Sequence, residues 1–384
     1  MIRPADTTDF KAIDFKATNF KPTDSEATGL SFSDSPDSDS PITEPLGNCK
    51  YQITAKPSKY ADFMQAYKVR TPKYKFYVER GGDPNAPVIL LIMGLGAQSL
   101  VWPNSFCQTL IKAGFHVIRF DNRDSGKSSK IKQKNQLTKQ HQTLLRQLRL
   151  LSKFKLGVNI PLVQSANDLP IPYDLFDMAE DVNQLLNALQ IDRCHVLGMS
   201  MGGMIAQILA ADYPSRVISL GLLSTSNNRA LLPTPKLTSL RQLARPAPPK
   251  KDAEAVINHT VAIIKEIGSD QYFDEAQERE KARLLYERRF YPKGTTRHLL
   301  AILATGSLLN QNARTLQPTL IIHGNKDTLL PPSHGRALAK AIPHARFELI
   351  EGLGHDIPSA LVPKLSALFI EHFWQASLLE RTKL

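Results

Sequence analysis

Cysteine is scarce: 384 residues contain only Cys49, Cys107 and Cys194, far apart and with no CxxC pair. That spacing offers neither a disulfide framework nor a Cys-based zinc site. Long apolar runs are missing too. The longest, VILLIM at 88–93, is strand-sized, well short of the roughly 18 residues a membrane-spanning helix needs. The N-terminal residues lack the apolar stretch of a secretory signal, so the expected location is the cytoplasm. No HExxH string occurs, and the histidines show no metal-ligand spacing. With 22% charged and 42% hydrophobic residues, the composition excludes collagen, a coiled coil and a wholly disordered chain.

Acid is unevenly distributed. The whole chain has a formal charge of +12, yet residues 1–45 hold four basic and nine acidic side chains and are rich in Ser, Thr, Asp and Pro. Such a stretch buries too little apolar surface to offset chain entropy, so a disordered acidic tail is expected over 1–46. Inside it DFKA, DFKA and NFKP recur every five residues from Asp9, either as a docking repeat or as a local duplication. Two later segments carry no acid at all: 125–167 holds nine basic residues and 229–251 holds six.

From about Tyr74 short apolar runs alternate with amphipathic stretches. Runs at 88–93, 116–120, 195–198, 217–223, 319–323 and 346–350 read as strands buried on both faces, as in a parallel sheet. Met178, Val182, Leu185, Leu186 and Leu189 share one helical face, and another helix follows at 201–211. This alternation predicts a doubly wound α/β sheet. The expected core comprises 47–228 and 317–384, interrupted by a basic insertion at 129–170 and by a helical cap at 229–316.

The sharpest motif is GMSMGG at 198–203, directly after a strand run and directly before a helix. A G-x-S-x-G turn of this kind pushes the Ser200 hydroxyl out above the carboxyl edge of the sheet. There, helix N–H groups without partners favour developing negative charge. A neutral serine needs a base and an orienting acid. Asp327 stands just beyond the run at 319–323, and His355 lies in a Gly-flanked loop after the run at 346–350. All three therefore fall at strand ends on one edge. Residues 224–228, beyond the run at 217–223, hold no carboxylate, which excludes an acid there. The backbone N–H of Leu95, in the loop MGLGAQ at 93–98, would join that of Met201 in an oxyanion hole.

These residues resemble the α/β-hydrolase family. LIMGLGAQ (91–98), DNRDSGKS (121–128) and the block 173–217 look like small-ester hydrolases of the aclacinomycin methylesterase and enol-lactonase type. The resemblance implies an α/β-hydrolase fold: a mostly parallel eight-stranded sheet with helices on both faces and an inserted helical cap. It also implies a triad of Ser200, His355 and Asp327 and no cofactor. Many members have His-Gly where this chain has Met93-Gly94; the tail and the basic insertion are additional to the pattern.

Plainer readings compete. Ser200 could sit on a tight turn, Asp327 could merely form a turn before Pro331-Pro332, and His355 could be a surface histidine. His323 reads as a packed or loop-setting histidine. Asp121 and Arg123 are expected to pair locally, and Trp102 belongs either to a pocket wall or to the core. Asp121 stands where a phosphate-binding loop needs its first glycine, and Ser99 where a dinucleotide fingerprint needs its third. In the basic insertion, residues 141–155 place Leu144, Leu148 and Leu151 on one side of a helix, with Arg146, Arg149 and Lys153 toward the other. That helix fits a cap or an interfacial contact with an anionic membrane. Nucleic acid is not an expected partner, because no binding motif and little aromatic interleaving accompany the charge.

The function expected is a cytoplasmic serine hydrolase that cleaves carboxylic esters through an acyl-enzyme, its substrate a small-molecule or lipid ester. The alternatives are a cofactor-free perhydrolase of haloperoxidase type, an intracellular lipase, and a surface-binding protein with a relict site.

Overall fold

Polar alternation at one end of the chain and continuous apolar runs further on divide the sheet into two kinds of strand. The structure, a computed structural model, describes residues 52–131 and 172–382. The expected tail, its Phe-Lys repeats and nearly all of the basic insertion, helix 141–155 included, lie outside the described residues.

Among the described residues, nine strands form one sheet: β1 (Gln52–Pro57), β2 (Gln65–Arg70), β3 (Lys75–Gly81), β4 (Val88–Ile92), β5 (His116–Phe120), β6 (Cys194–Met199), β7 (Val217–Leu223), β8 (Thr319–Gly324) and β9 (Arg346–Ile350). Their spatial order is β1-β2-β3-β5-β4-β6-β7-β8-β9. The first three pair antiparallel and β3 runs antiparallel to β5, whereas the remaining six are mutually parallel. Among the described residues the sheet thus has one strand more than the eight implied by resemblance. The extra strand lies at the antiparallel edge, where a strand needs no continuous apolar run and leaves no such signal.

β5, β6 and β8 are buried along their whole length. In β4, Leu90 and Ile92 enter one apolar cluster while Ile89 and Leu91 enter another, as the two-residue period of a strand requires. Helices α2 (Leu175–Ala188) and α3 (Met201–Asp212) pack into the first cluster. Helices α1 (Asn104–Lys112) and α10 (Val362–Arg381) pack into the second through Phe106, Leu110, Leu365, Phe369 and Phe373. Trp102 is core: it is fully buried and stacks on Phe106 at 5.6 Å. α2 opens with a reciprocal cap, in which Asp174 accepts from the Asp177 N–H and Asp177 accepts from the Asp174 N–H.

Between β7 and β8 the chain makes α4 (Leu237–Leu243), α5 (Ala253–Ile267), α6 (Glu275–Arg289), α7 (Pro292–Thr305) and α8 (Leu309–Arg314); α9 (Ser333–Ala341) connects β8 to β9. No helix among the described residues is long and apolar enough to cross a membrane.

Candidate active site

The turn from β6 into α3 holds Ser200 at φ 54°, ψ −123°, a region that non-glycine residues seldom occupy. Its neighbours explain the glycines. A Cβ on Gly198 would stand 2.4 Å from the Gly202 carbonyl oxygen, and one on Gly202 only 2.1 Å from that of Ile92. The Ser200 N–H donates to the Leu223 carbonyl at 3.0 Å, and the Thr225 hydroxyl donates to the Ser200 carbonyl at 2.6 Å. A strained residue pinned from both sides presents its side chain in one direction.

That side chain meets one predicted site residue directly and a second through it. The Ser200 hydroxyl lies 3.0 Å from His355 Nε2, and His355 Nδ1 lies 2.7 Å from Asp327 Oδ2. With Nδ1 protonated, the imidazole donates to the carboxylate and accepts from the hydroxyl. The other Asp327 oxygen accepts the N–H groups of Leu329 and Leu330 at 3.0 and 2.7 Å. Burial disfavours the charged carboxylate, but His355 and His323 outweigh it and hold Asp327 well below the usual carboxylate range. Burial likewise opposes charge on His355, and the Asp327 carboxylate overcomes it, so that the imidazole's pKa is raised.

His323 is fully buried, and its Nε2–H donates to the Leu330 carbonyl at 2.7 Å. It sets the Asp327 loop from beneath. The His355 loop is tied to the end of α5 and the residues that follow it: the His355 N–H donates to the Ile267 carbonyl at 2.8 Å, and the Gly354 N–H to Ser269 Oγ at 2.8 Å. Ser269 Oγ in turn donates to Asp356 at 2.6 Å.

The loop after β4 comes close to the serine, since a Cβ on Gly94 would lie 3.0 Å from the Ser200 Cβ. Leu95 follows directly, and Met201 is the first residue of α3, where helix N–H groups have no intrahelical acceptor. Side chains far away in sequence brace this loop. Asn122 donates to the Met93 carbonyl at 2.9 Å, and the Gly96 N–H donates to His298 Nδ1 at 3.0 Å. His298 also donates from Nε2 to the Arg123 carbonyl at 2.7 Å. It is completely buried, and burial pushes its pKa down to about 4, so the ring is neutral at physiological pH.

The expected local pair of Asp121 and Arg123 does not form. Asp121 pairs with Arg288 of α6 at 2.8 Å, and Arg123 pairs with Asp181 of α2 at 2.5 Å. Asp124 accepts two bonds from Arg297 of α7, both at 2.7 Å, and one from the Tyr173 hydroxyl. Neighbours in sequence point in different directions on this loop, so each carboxylate reaches a cation delivered by another element. Arg288 additionally donates to Gln98 at 2.5 Å. Sequence reasoning missed His298, Arg288 and Arg297; the one available signal was a polar residue on the buried face of a helix, which no motif marks. Among the described residues, no group of three or more His, Cys, Asp or Glu side chains is arranged to hold a metal ion.

Comparison with known proteins adds to this geometry. The sequence model of the alpha/beta hydrolase fold matches residues 87–358. Rhodomycin D methylesterase DnrP of Streptomyces peucetius is 27% identical over 312 residues, covering 76% of this chain and 92% of that protein. DauP, a rhodomycin D methylesterase of Streptomyces sp. strain C5, is 28% identical with the same coverage. The crystal structure of the enol-lactonase from Burkholderia xenovorans LB400 superposes with a TM-score of 0.58 at 21% identity, covering 79% of this chain and 97% of that one.

Proposed function

The chain belongs to the alpha/beta hydrolase fold family, and from that premise we propose that it hydrolyses carboxylic esters through an acyl-enzyme on Ser200. The carrying observation is the unbroken hydrogen-bonded chain from Ser200 through His355 to Asp327. Ser200 Oγ attacks the ester carbonyl as His355 Nε2 takes its proton. Asp327 holds the imidazole in the tautomer that accepts and favours the imidazolium that forms. The backbone N–H groups of Leu95 and Met201 receive the oxyanion. His355 then gives its proton to the departing alkoxide, releasing the alcohol and leaving the acyl group on Ser200. Water attacks that ester with His355 again as base, and the carboxylic acid leaves as the proton returns to Ser200.

Two relatives named as methylesterases support an ester with a small alcohol. In this reading residues 229–316 form the helical cap, and the cap also sets catalytic loops, His355 through Ile267 and Ser269 and the loop at 94–98 through His298 and Arg288. The test is Ser200→Ala with a p-nitrophenyl ester. A fall in kcat of about 10⁴-fold or more, with a native circular dichroism spectrum, is expected. Undiminished turnover by the variant would refute the assignment.

A further inference from the structure

The acid-free stretch 229–251 opens the proposed cap but supplies none of the reacting side chains, and it runs between two of the site's loops. It begins where residues 224–228 leave β7 beside Ser200. It is then tied to the Asp327 loop, because the Lys236 N–H donates to the Thr328 carbonyl at 2.9 Å and Ser239 Oγ lies 2.9 Å from Thr328 Oγ1. Its six cations, Arg229, Lys236, Arg241, Arg245, Lys250 and Lys251, are all exposed. Among the described residues, none of them has a carboxylate within 4.0 Å. Nearby acids are engaged elsewhere: Glu254 pairs with Arg279 and Arg283, and Asp252 caps α5.

Apolar side chains stand among these charges. Leu231 is 83% exposed and Leu237 59%. Leu231 also has φ 64°, a left-handed backbone that a branched side chain adopts at a cost. Next to it Leu232 is buried, so the strained turn keeps one leucine in the protein and turns the other outward. Cations without acid partners attract an anionic surface, and projecting leucines gain only where that surface has an apolar interior. A nucleic acid meets the charge but not the leucines, and the stretch holds no aromatic residue on which bases could stack.

We propose that residues 229–251 are a docking surface for an anionic lipid bilayer, with Leu231 entering the interfacial region. The proposal concerns binding and stands apart from the esterase reading. It is tested by co-sedimenting the full chain with vesicles of phosphatidylcholine alone or mixed with phosphatidylglycerol. Three variants are compared with the unaltered chain: Lys236→Gln/Arg241→Gln/Arg245→Gln, Leu231→Ser, and Ser200→Ala. The basic segment 129–170 is the same in all, so only differences between them count.

The unaltered chain and Ser200→Ala are expected to partition equally onto the anionic vesicles and to ignore phosphatidylcholine. Each cation near such a surface strengthens partition about fivefold, so the triple variant should lose roughly 100-fold. Its circular dichroism spectrum should be unchanged, which excludes misfolding. Leu231→Ser should weaken partition several-fold at fixed salt. The proposal is overturned if the triple variant partitions like the unaltered chain, or if Leu231→Ser has no effect, since a purely electrostatic site would then account for the charge.

Discussion

Replacing His298 with alanine tests how far the segment between β7 and β8 governs the chemistry. The imidazole supplies the acceptor for the Gly96 N–H and the donor for the Arg123 carbonyl, at 3.0 and 2.7 Å, from a fully buried position. Alanine leaves both backbone groups unpaired. An orphaned buried group costs about 1–3 kcal/mol, and at 1.4 kcal/mol per decade the loop beside Leu95 then keeps its geometry roughly 5- to 150-fold less strongly. Complete loss of one oxyanion donor, about 100- to 1,000-fold in rate, sets the ceiling. The expected result is a fall in kcat of about 10- to 100-fold with KM little changed. His298→Asn, whose Oδ1 can take the place of Nδ1, should recover part of it. The assay is kcat per active site, counted by titration with a reactive phosphonate, so that unfolded molecules drop out. If kcat per titrated site is unchanged while Tm falls, His298 only stabilises the fold and the reasoning fails. Equal losses in the Asn and Ala variants would also refute it.

The raised pKa of His355 has a sign that can be checked: the base acts when neutral, so kcat/KM should rise with pH through an inflection above the ordinary imidazole value of about 6.5. An inflection at or below that value contradicts the Asp327 contact. Asp327→Asn should lower kcat by about 10⁴-fold with the fold intact, and a loss under tenfold by stopped assay would remove Asp327 from the mechanism. Arg297→Leu strands the buried Asp124 carboxylate and should cost about 3–5 kcal/mol in urea unfolding, so an unshifted midpoint would show that the pair is not what holds α7 to the loop. Gly202→Ala drives a Cβ to 2.1 Å from the Ile92 carbonyl oxygen; soluble, fully active protein from this variant would mean that β4 and α3 can separate.

Some of this molecule is readable from short stretches of chain, because the physics involved is local. The strands buried on both faces announce themselves as apolar runs, and the turn at Ser200 as the glycines that its neighbours demand. Asp327 stands out because it follows such a run by a few residues; His355 follows β9, a strand as expected but one at the sheet edge, where only Ile350 is buried, so the expected burial on both faces fails there. Edge strand β1 is different: QITAKP alternates polar and apolar residues and holds no continuous apolar run, so its place is decided by pairing with β2. The same holds for the ionic partners of the loop at 121–124. Asp121, Arg123 and Asp124 look like mutual partners in one dimension, yet their cations and carboxylates come from Arg288, Asp181 and Arg297. A buried charge takes whichever opposite charge the packed helices bring within reach, and no spacing rule in the chain encodes that choice. His298, 202 residues from the backbone N–H it accepts, is the plainest case. Periodicity and turn chemistry act over a handful of residues and can be seen in the sequence, whereas burial and long-range hydrogen bonding exist only after the layers have closed.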